Sequence, residues 1–204
     1  MNKDLLDEIK EEIDFFSKCG FYDIEEILET IEDEFIDFDL DLDLIHRQIE
    51  EIFNKHQENS NSSDVVNLIK AFDNLTKEGI VSIHNCGYDT EEAVEDAFEI
   101  YTHLINNDYS SIGFCFYTLS DLEEVFENKT LAISYGSFDL EDKDKQNQLE
   151  DLIENTFKGL DFNIEKREEQ FIIKDFNWQK VYDNKDYSME GAYGDFIKFN
   201  NKEG

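Results

Sequence analysis

Gly79-Ile80-Val81-Ser82-Ile83-His84-Asn85-Cys86-Gly87-Tyr88 is the stretch on which the fold turns. A helical period stops at Gly79, a short β-rich run covers 80–84, and Asn85 with Gly87 supplies a turn. Upstream, Val66, Ile69, Phe72 and Leu75 recur at helical spacing and predict a helix over 65–77. Downstream, Ala93, Ala97, Ile100, Tyr101 and Leu104 predict another over 90–106. A strand held between two amphipathic helices starts a layered fold.

The alternation continues outward. Buried strands are expected at 112–117 and 131–135, with a short helix beginning at Ser120, where Glu123 stands at capping-box spacing. A helix over 144–158 ends at Gly159, and 162–166 with 171–176 read as a hairpin around 167–170. This order predicts an α+β fold: a mixed or mostly antiparallel sheet with helices on one face, ferredoxin-like in part with an added helix. The first part of the aromatic-rich tail from Asn177 is expected to extend the sheet or lie across it, and its last few residues to fray.

Toward the N-terminus the chain reads as helices only. Leu5, Leu6, Ile9, Ile13 and Phe16 form a stripe ended by Gly20. Ile24, Ile27, Leu28, Ile31 and Phe35 form a second over 21–36, and Leu44, Ile45, Ile49, Ile52 and Phe53 a third over 41–57. Residues 1–58 are thus an acidic helical region and 64–200 an α+β region, joined by the polar linker 59–63. About 58 residues make a marginal core alone, so one compact unit is expected.

The 204 residues include 51 Asp and Glu against 18 Lys and Arg, a formal net charge of -33. Such a field repels nucleic acid and anionic membranes and draws in basic partners. Disorder does not follow, because 18 Phe and 9 Tyr supply ample core material. No basic-then-apolar leader opens the chain, and no run reaches the ~18–20 apolar residues of a membrane span. Cys19, Cys86 and Cys115 are odd in number and widely spaced, which fits reduced thiols in a cytoplasm better than disulfides.

No catalytic motif stands out, and no cofactor is expected. The run 23–43 holds eleven carboxylates and no Lys or Arg, whereas a merely solvated helix usually mixes signs. Glu25, Glu26, Glu29, Asp33, Asp37 and Asp39 are its candidate electrostatic anchors, with Tyr187 or Tyr193 of the tail as added contacts. A second group, His84, Asn85, Tyr88, Tyr117, Asp121 and Tyr135, could line a cleft at the sheet's end; the local alternative is a turn and satisfied tyrosine hydroxyls. Cys86 has no cationic neighbour in sequence to lower its pKa. The four histidines share no metal-ligand spacing with the cysteines. Asp39, Asp41, Asp43 and Glu50 imitate a calcium-loop pattern, but Leu44 occupies the turn-glycine position, so an acidic helix start is expected and no metal.

Three segments carry a resemblance: 79–88; Gly113-Phe114-Cys115-Phe116-Tyr117 followed by Asp121-Leu122-Glu123; and Leu131-Ala132-Ile133-Ser134-Tyr135-Gly136. With the acidic helix after Gly20-Phe21-Tyr22, they make the chain, over roughly 5–178, similar to an uncharacterised bacterial domain-of-unknown-function family. The resemblance implies a shared fold and brings no activity with it. A looser, topology-level likeness is to small acidic inhibitors of a bacterial ribonuclease. The expected function is therefore a non-enzymatic, cytoplasmic, acidic inhibitor or immunity-type protein that neutralises a basic partner such as a nuclease toxin or ribonuclease. The alternatives are a DNA-mimic anti-restriction protein and a small enzyme using His84 with a carboxylate such as Asp121. Direct nucleic-acid or membrane binding is not expected, and oligomeric state is not legible.

Overall fold

A computed structural model describes residues 3–139 and 141–201. The chain divides into two compact units, Met1–Ser62 with Gln179–Asn184, and Ser63–Trp178 with Lys185–Gly204.

The first unit packs α1 (Lys3–Cys19), α2 (Ile24–Glu34) and α3 (Leu42–Gln57) against one another. Its core is the apolar stripe of each helix: Ile9, Ile13 and Phe16; Ile27 and Ile31; Ile45, Ile49 and Phe53, all buried. Asp23 starts α2, its Oδ1 accepting the N–H groups of Glu25 and Glu26 at 2.9 Å. Glu26 answers by accepting the Asp23 N–H at 2.7 Å, closing a capping box. Residues 179–184 complete this unit as a strap. Gln179 O accepts the Ser62 N–H (2.8 Å), and Asn61 Oδ1 accepts that of Val181 (2.7 Å).

The second unit contains α4 (Ser63–Lys77), β1 (Ile80–Ile83), α5 (Thr90–Asn106), β2 (Gly113–Phe116), α6 (Leu119–Asn128), β3 (Thr130–Gly136), α7 (Lys143–Gly159), β4 (Ile164–Arg167), β5 (Gln170–Lys174) and α8 (Met189–Asn200). Its sheet runs in the order β1-β2-β3-β5-β4; only β1 and β2 are parallel. The α+β class and the mostly antiparallel sheet agree with the sequence reading.

Two finer expectations are corrected. Adjacent parallel β1 and β2 joined through α5 form a βαβ unit with no strand between them, so the ferredoxin-like split is absent. Helices also cover both faces rather than one. Register puts Val81, Ile83, Phe114 and Phe116 on one face, where they form a core cluster with Ala93, Ala97, Ile100 and Leu104 of α5 and Phe196 of α8. The opposite face carries Ile80, Cys115, Ile133, Tyr135 and Phe171, and α7 reaches it, Glu150 accepting from Tyr135 and pairing with Lys166. Every residue of β1 and β2 is accordingly buried, whereas β5 alternates half-buried and buried.

The tail expectation is also corrected: residues 177–187 add no strand to the sheet, and Met189–Asn200 is a helix. Ser188 caps it, its Oγ accepting the Gly191 N–H at 3.3 Å. Gly191 and Gly194 weaken its intrinsic helical preference, and burial of Phe196 outweighs that cost. The expected fraying falls partly on residues 202–204, outside the described residues.

Candidate functional site

The acidic surface belongs to the first unit. Glu25, Glu26, Glu29, Asp33, Asp37 and Asp39 are all exposed. Glu25, Glu29 and Asp33 follow at i, i+4, i+8, so they form a row rising about 6 Å per step on one side of α2. Each such like-charge neighbour costs a few tenths of a kcal/mol. Asp23 and Glu26 offset part of that by capping, and α2 has no basic residue in its last turn. His46 of α3 lies 3.9 Å from both Glu25 and Glu50. Behind the row, burial and the charge of Glu12 push the Glu34 carboxyl upward.

The row runs into an apolar turn that sequence reasoning missed. Residues 35–41 leave the helical period, and Ile36 (75 % exposed), Phe38 (54 %) and Leu42 (43 %) project between Asp37, Asp39 and Asp41. Phe35 turns inward, and the Phe38 N–H donates to its carbonyl at 3.0 Å. The signal was present as the alternation Ile36-Asp37-Phe38-Asp39-Leu40-Asp41-Leu42-Asp43, which neither a helix nor a solvated linker requires. Asp41 begins α3, accepting the Leu44 N–H at 3.1 Å, as an acidic helix start should.

The second candidate group divides. Residues 84–88 and 117–121 are tied together. The Cys86 N–H donates to Tyr117 O (2.8 Å), Leu119 to Gly87 O and Ser120 to Tyr88 O (3.1 Å each). His84 is buried, its Nδ1 2.9 Å from the Tyr117 hydroxyl, its ring stacked on Phe72 at 4.3 Å and edge-on to Tyr187 at 5.3 Å. Asn85 and Gly87 take left-handed backbone, as a tight turn needs, and Tyr88 is exposed. Thr118 caps α6, and Asp121 rather than Glu123 closes the capping box, accepting from the Thr118 N–H (2.8 Å) and hydroxyl (2.9 Å). Burial pushes its pKa up, and those two hydrogen bonds hold it down in part. Tyr135 lies apart from these residues, beside Glu150 and the β4–β5 turn. Tyr187 is half-buried against His84, and Tyr193 is half-buried against the α5 core.

Cys86 and Cys115 are buried thiols; burial raises both, with Asp96 adding to the rise at Cys86, and Cys115 reaches about 12. Among the described residues no group of three or more His, Cys, Asp or Glu could hold a metal ion. Among the same residues no helix is long and apolar enough to cross a membrane.

Fold and surface together define an acidic α+β protein with a helical unit that presents carboxylates around an apolar turn. The chain belongs to the family described as "Domain of unknown function (DUF6891)", whose model matches residues 2–182. No curated protein and no solved structure matches it.

Proposed function

We propose that the protein is an acidic, protein-binding inhibitor of the immunity type, which neutralises a basic partner such as a nuclease toxin or a ribonuclease. The observation that carries the reading is the carboxylate row Glu25, Glu29 and Asp33 leading into exposed Ile36, Phe38 and Leu42. The two halves have different physical jobs. A field from a -33 chain speeds encounter with a basic surface, toward ~10⁸–10⁹ M⁻¹s⁻¹ at low salt against ~10⁵–10⁶ for neutral pairs. Burying an exposed Ile or Phe contributes ~1.5–3 kcal/mol and slows dissociation. The core-like packing of His84 also weighs for binding over catalysis.

A second reading, a mimic of nucleic acid, draws on the same row, since a step of about 6 Å along a helix approaches the spacing of phosphates on a strand. The apolar turn favours a protein contact, because a phosphate-binding groove offers nothing to bury Phe38 against.

The test starts from a partner co-purified from the native host and identified as basic. Its association rate is measured for the wild type and two variants. Amidating the row (Glu25→Gln, Glu29→Gln, Asp33→Asn) should slow association and flatten its salt dependence. Ile36→Ser with Phe38→Ser should leave association alone and speed dissociation about tenfold or more. Rates unchanged by the amide variant refute the electrostatic docking. A partner released by duplex DNA and indifferent to the Ser variants assigns the surface to mimicry.

A further inference from the structure

Beyond α5, a groove of about 660 Å³ within the second unit is lined from the first face of the sheet and also by Tyr135 of the other face and Leu149 and Glu150 of α7. It is a different place from the acidic helical surface, and its chemistry is different. Val94 and Phe98 of α5 form one wall, Phe114 forms the floor with the fully buried Phe116 stacked beside it, and Glu168 and Glu169 stand at the rim on the β4–β5 turn.

Sheet register explains why the groove exists. Phe116 pairs with Ser134, and Ser134 with Gln170, so these three lie in one row across β2, β3 and β5. One row away, Phe114 pairs with Gly136, where a Cβ would come within 2.6 Å of the Phe114 ring. A glycine at that point lets the aromatic floor lie over β3. The floor then changes from aromatic to polar: the Gln170 amide donates to Ser134 Oγ at 2.9 Å. Phe98 is held edge-on by Phe114 and Phe138, yet it keeps 41 % of its surface open. A large aromatic left in solvent beside an aromatic floor is half of a contact.

The charged residues that line the groove have one sign. Glu150, Glu168 and Glu169 line it, and its described lining contains no Lys or Arg. Glu150 is engaged by Tyr135 and Lys166, which leaves the exposed Glu168 and Glu169 as the countercharge for an occupant. An anion is repelled there. An apolar neutral molecule would use the walls and waste the rim.

We propose that this groove binds a small organic cation, an amine whose apolar body lies against Phe98 and Val94 over the edge of Phe114 and whose ammonium group reaches Glu168 and Glu169 across the Ser134–Gln170 row. The volume is within the range of small-molecule sites, and aromatic walls beside carboxylates are the environment that recognises ammonium ions.

The test uses 2-phenylethylamine, protonated at neutral pH, and phenylacetate, which keeps the ring and reverses the charge. Both are titrated into the ¹⁵N-labelled full chain at about 150 mM salt, where exposed charges are screened beyond about 8 Å. The amine should shift the amides of Val94, Phe98, Ser134 and Gln170 saturably, and phenylacetate should not. Phe98→Ala should weaken binding about tenfold, the loss of one aromatic wall. Glu168→Gln with Glu169→Gln, on an exposed turn that leaves the core untouched, should weaken it by a similar factor. Amidating Glu25 and Glu29 should change nothing. Equal binding of the two probes overturns the proposal, as does binding unchanged in the Glu168/Glu169 variant. Shifts that scatter over the acidic helices without saturation also overturn it, because they mark counterion binding alone.

Discussion

Lys180 is the least expected buried residue in the chain and gives the sharpest test of what holds the helical unit together. Only 1 % of its side chain is exposed. Its Nζ donates to Gly20 O at 2.8 Å, lies 3.4 Å from Val181 O and 3.5 Å from Asp183 Oδ1, and sits 4.8 Å over the Phe21 ring. Lys180→Met keeps most of the stem and removes the ammonium. That leaves a buried carbonyl without this donor, at a cost of ~1–3 kcal/mol, against which stands the relief of no longer burying a charge. A net loss of about 1–2 kcal/mol follows. Lys180→Ala also deletes three buried methylenes at ~0.8 kcal/mol each, which brings the total to about 3–5 kcal/mol. Against a typical total of ~5–15 kcal/mol, the alanine variant is severe.

Gly20 supplies the control from the other side of the contact. Its φ is +73°, and a Cβ there would lie 2.6 Å from Lys180 O and 2.9 Å from its carbonyl carbon, backbone that cannot swing away. Gly20→Ala should cost about 3 kcal/mol or more, from left-handed strain and that clash. Because both substitutions strike one contact, the double variant should lose less than the sum of the singles. Urea unfolding followed by far-UV circular dichroism reads the wild type, each single variant and the double. A Lys180→Met protein as stable as the wild type, or more so, would show that the ammonium is buried at a net loss and that the strap is held by its stem alone.

Three further outcomes follow from the same structure. All three cysteines are buried and the thiols of Cys86 and Cys115 are raised. A thiol reagent at pH 8 should therefore label none quickly and all three in denaturant, and one fast thiol in the native protein would contradict that burial. Glu34, Asp96 and Asp121 hold their protons more tightly folded than unfolded, first because of burial. Their stabilisation grows as pH falls through the folded values and is complete below the unfolded 3.8–4.5, so the urea midpoint should rise as the pH is lowered from neutrality toward that range. Glu165, held at about 2 by Arg167 and Lys174, acts oppositely, losing its contribution only as pH falls toward that value. A midpoint that falls steadily below pH 7 would refute the balance. Finally, a fragment ending at Ser62 lacks 179–184, so it should be less helical alone than with a 179–184 peptide added; equal helicity would remove the strap from the account.

The elements that were legible in the sequence are those whose local pattern and burial agree. Strands expected at 80–84, 112–117 and 131–135 stand at Ile80–Ile83, Gly113–Phe116 and Thr130–Gly136, because short apolar runs between glycines and polar turns have few other uses. The helices of the first unit were equally plain, each with a single apolar stripe. What failed depends on contacts distant in sequence. The helix at Met189–Asn200 is hidden by two glycines and three aromatics, and only the cluster around Phe196 and Val81 makes it stable. Coverage of both sheet faces was hidden too, since a fully buried strand has no alternation to show which helix lies on which side. Lys180 bonds to a backbone carbonyl 160 residues away, a partner with no side-chain identity to read.

The candidate site was half legible for a related reason. Charge is additive along a sequence, so the acidic run 23–43 announced itself. Exposure is not additive, and Phe35, Ile36 and Phe38 look alike on paper, though the first is buried and the other two project. The difference arises where α2 ends at Glu34: Phe35 keeps the inward position of the Ile27–Ile31 stripe, and the turn then carries 36 and 38 out of it. Carboxylates alone would make a soluble surface that any cation visits. Carboxylates flanking apolar side chains that the fold does not bury make a surface that gains by being covered, and that asymmetry is the physical reason to read this unit as a docking module.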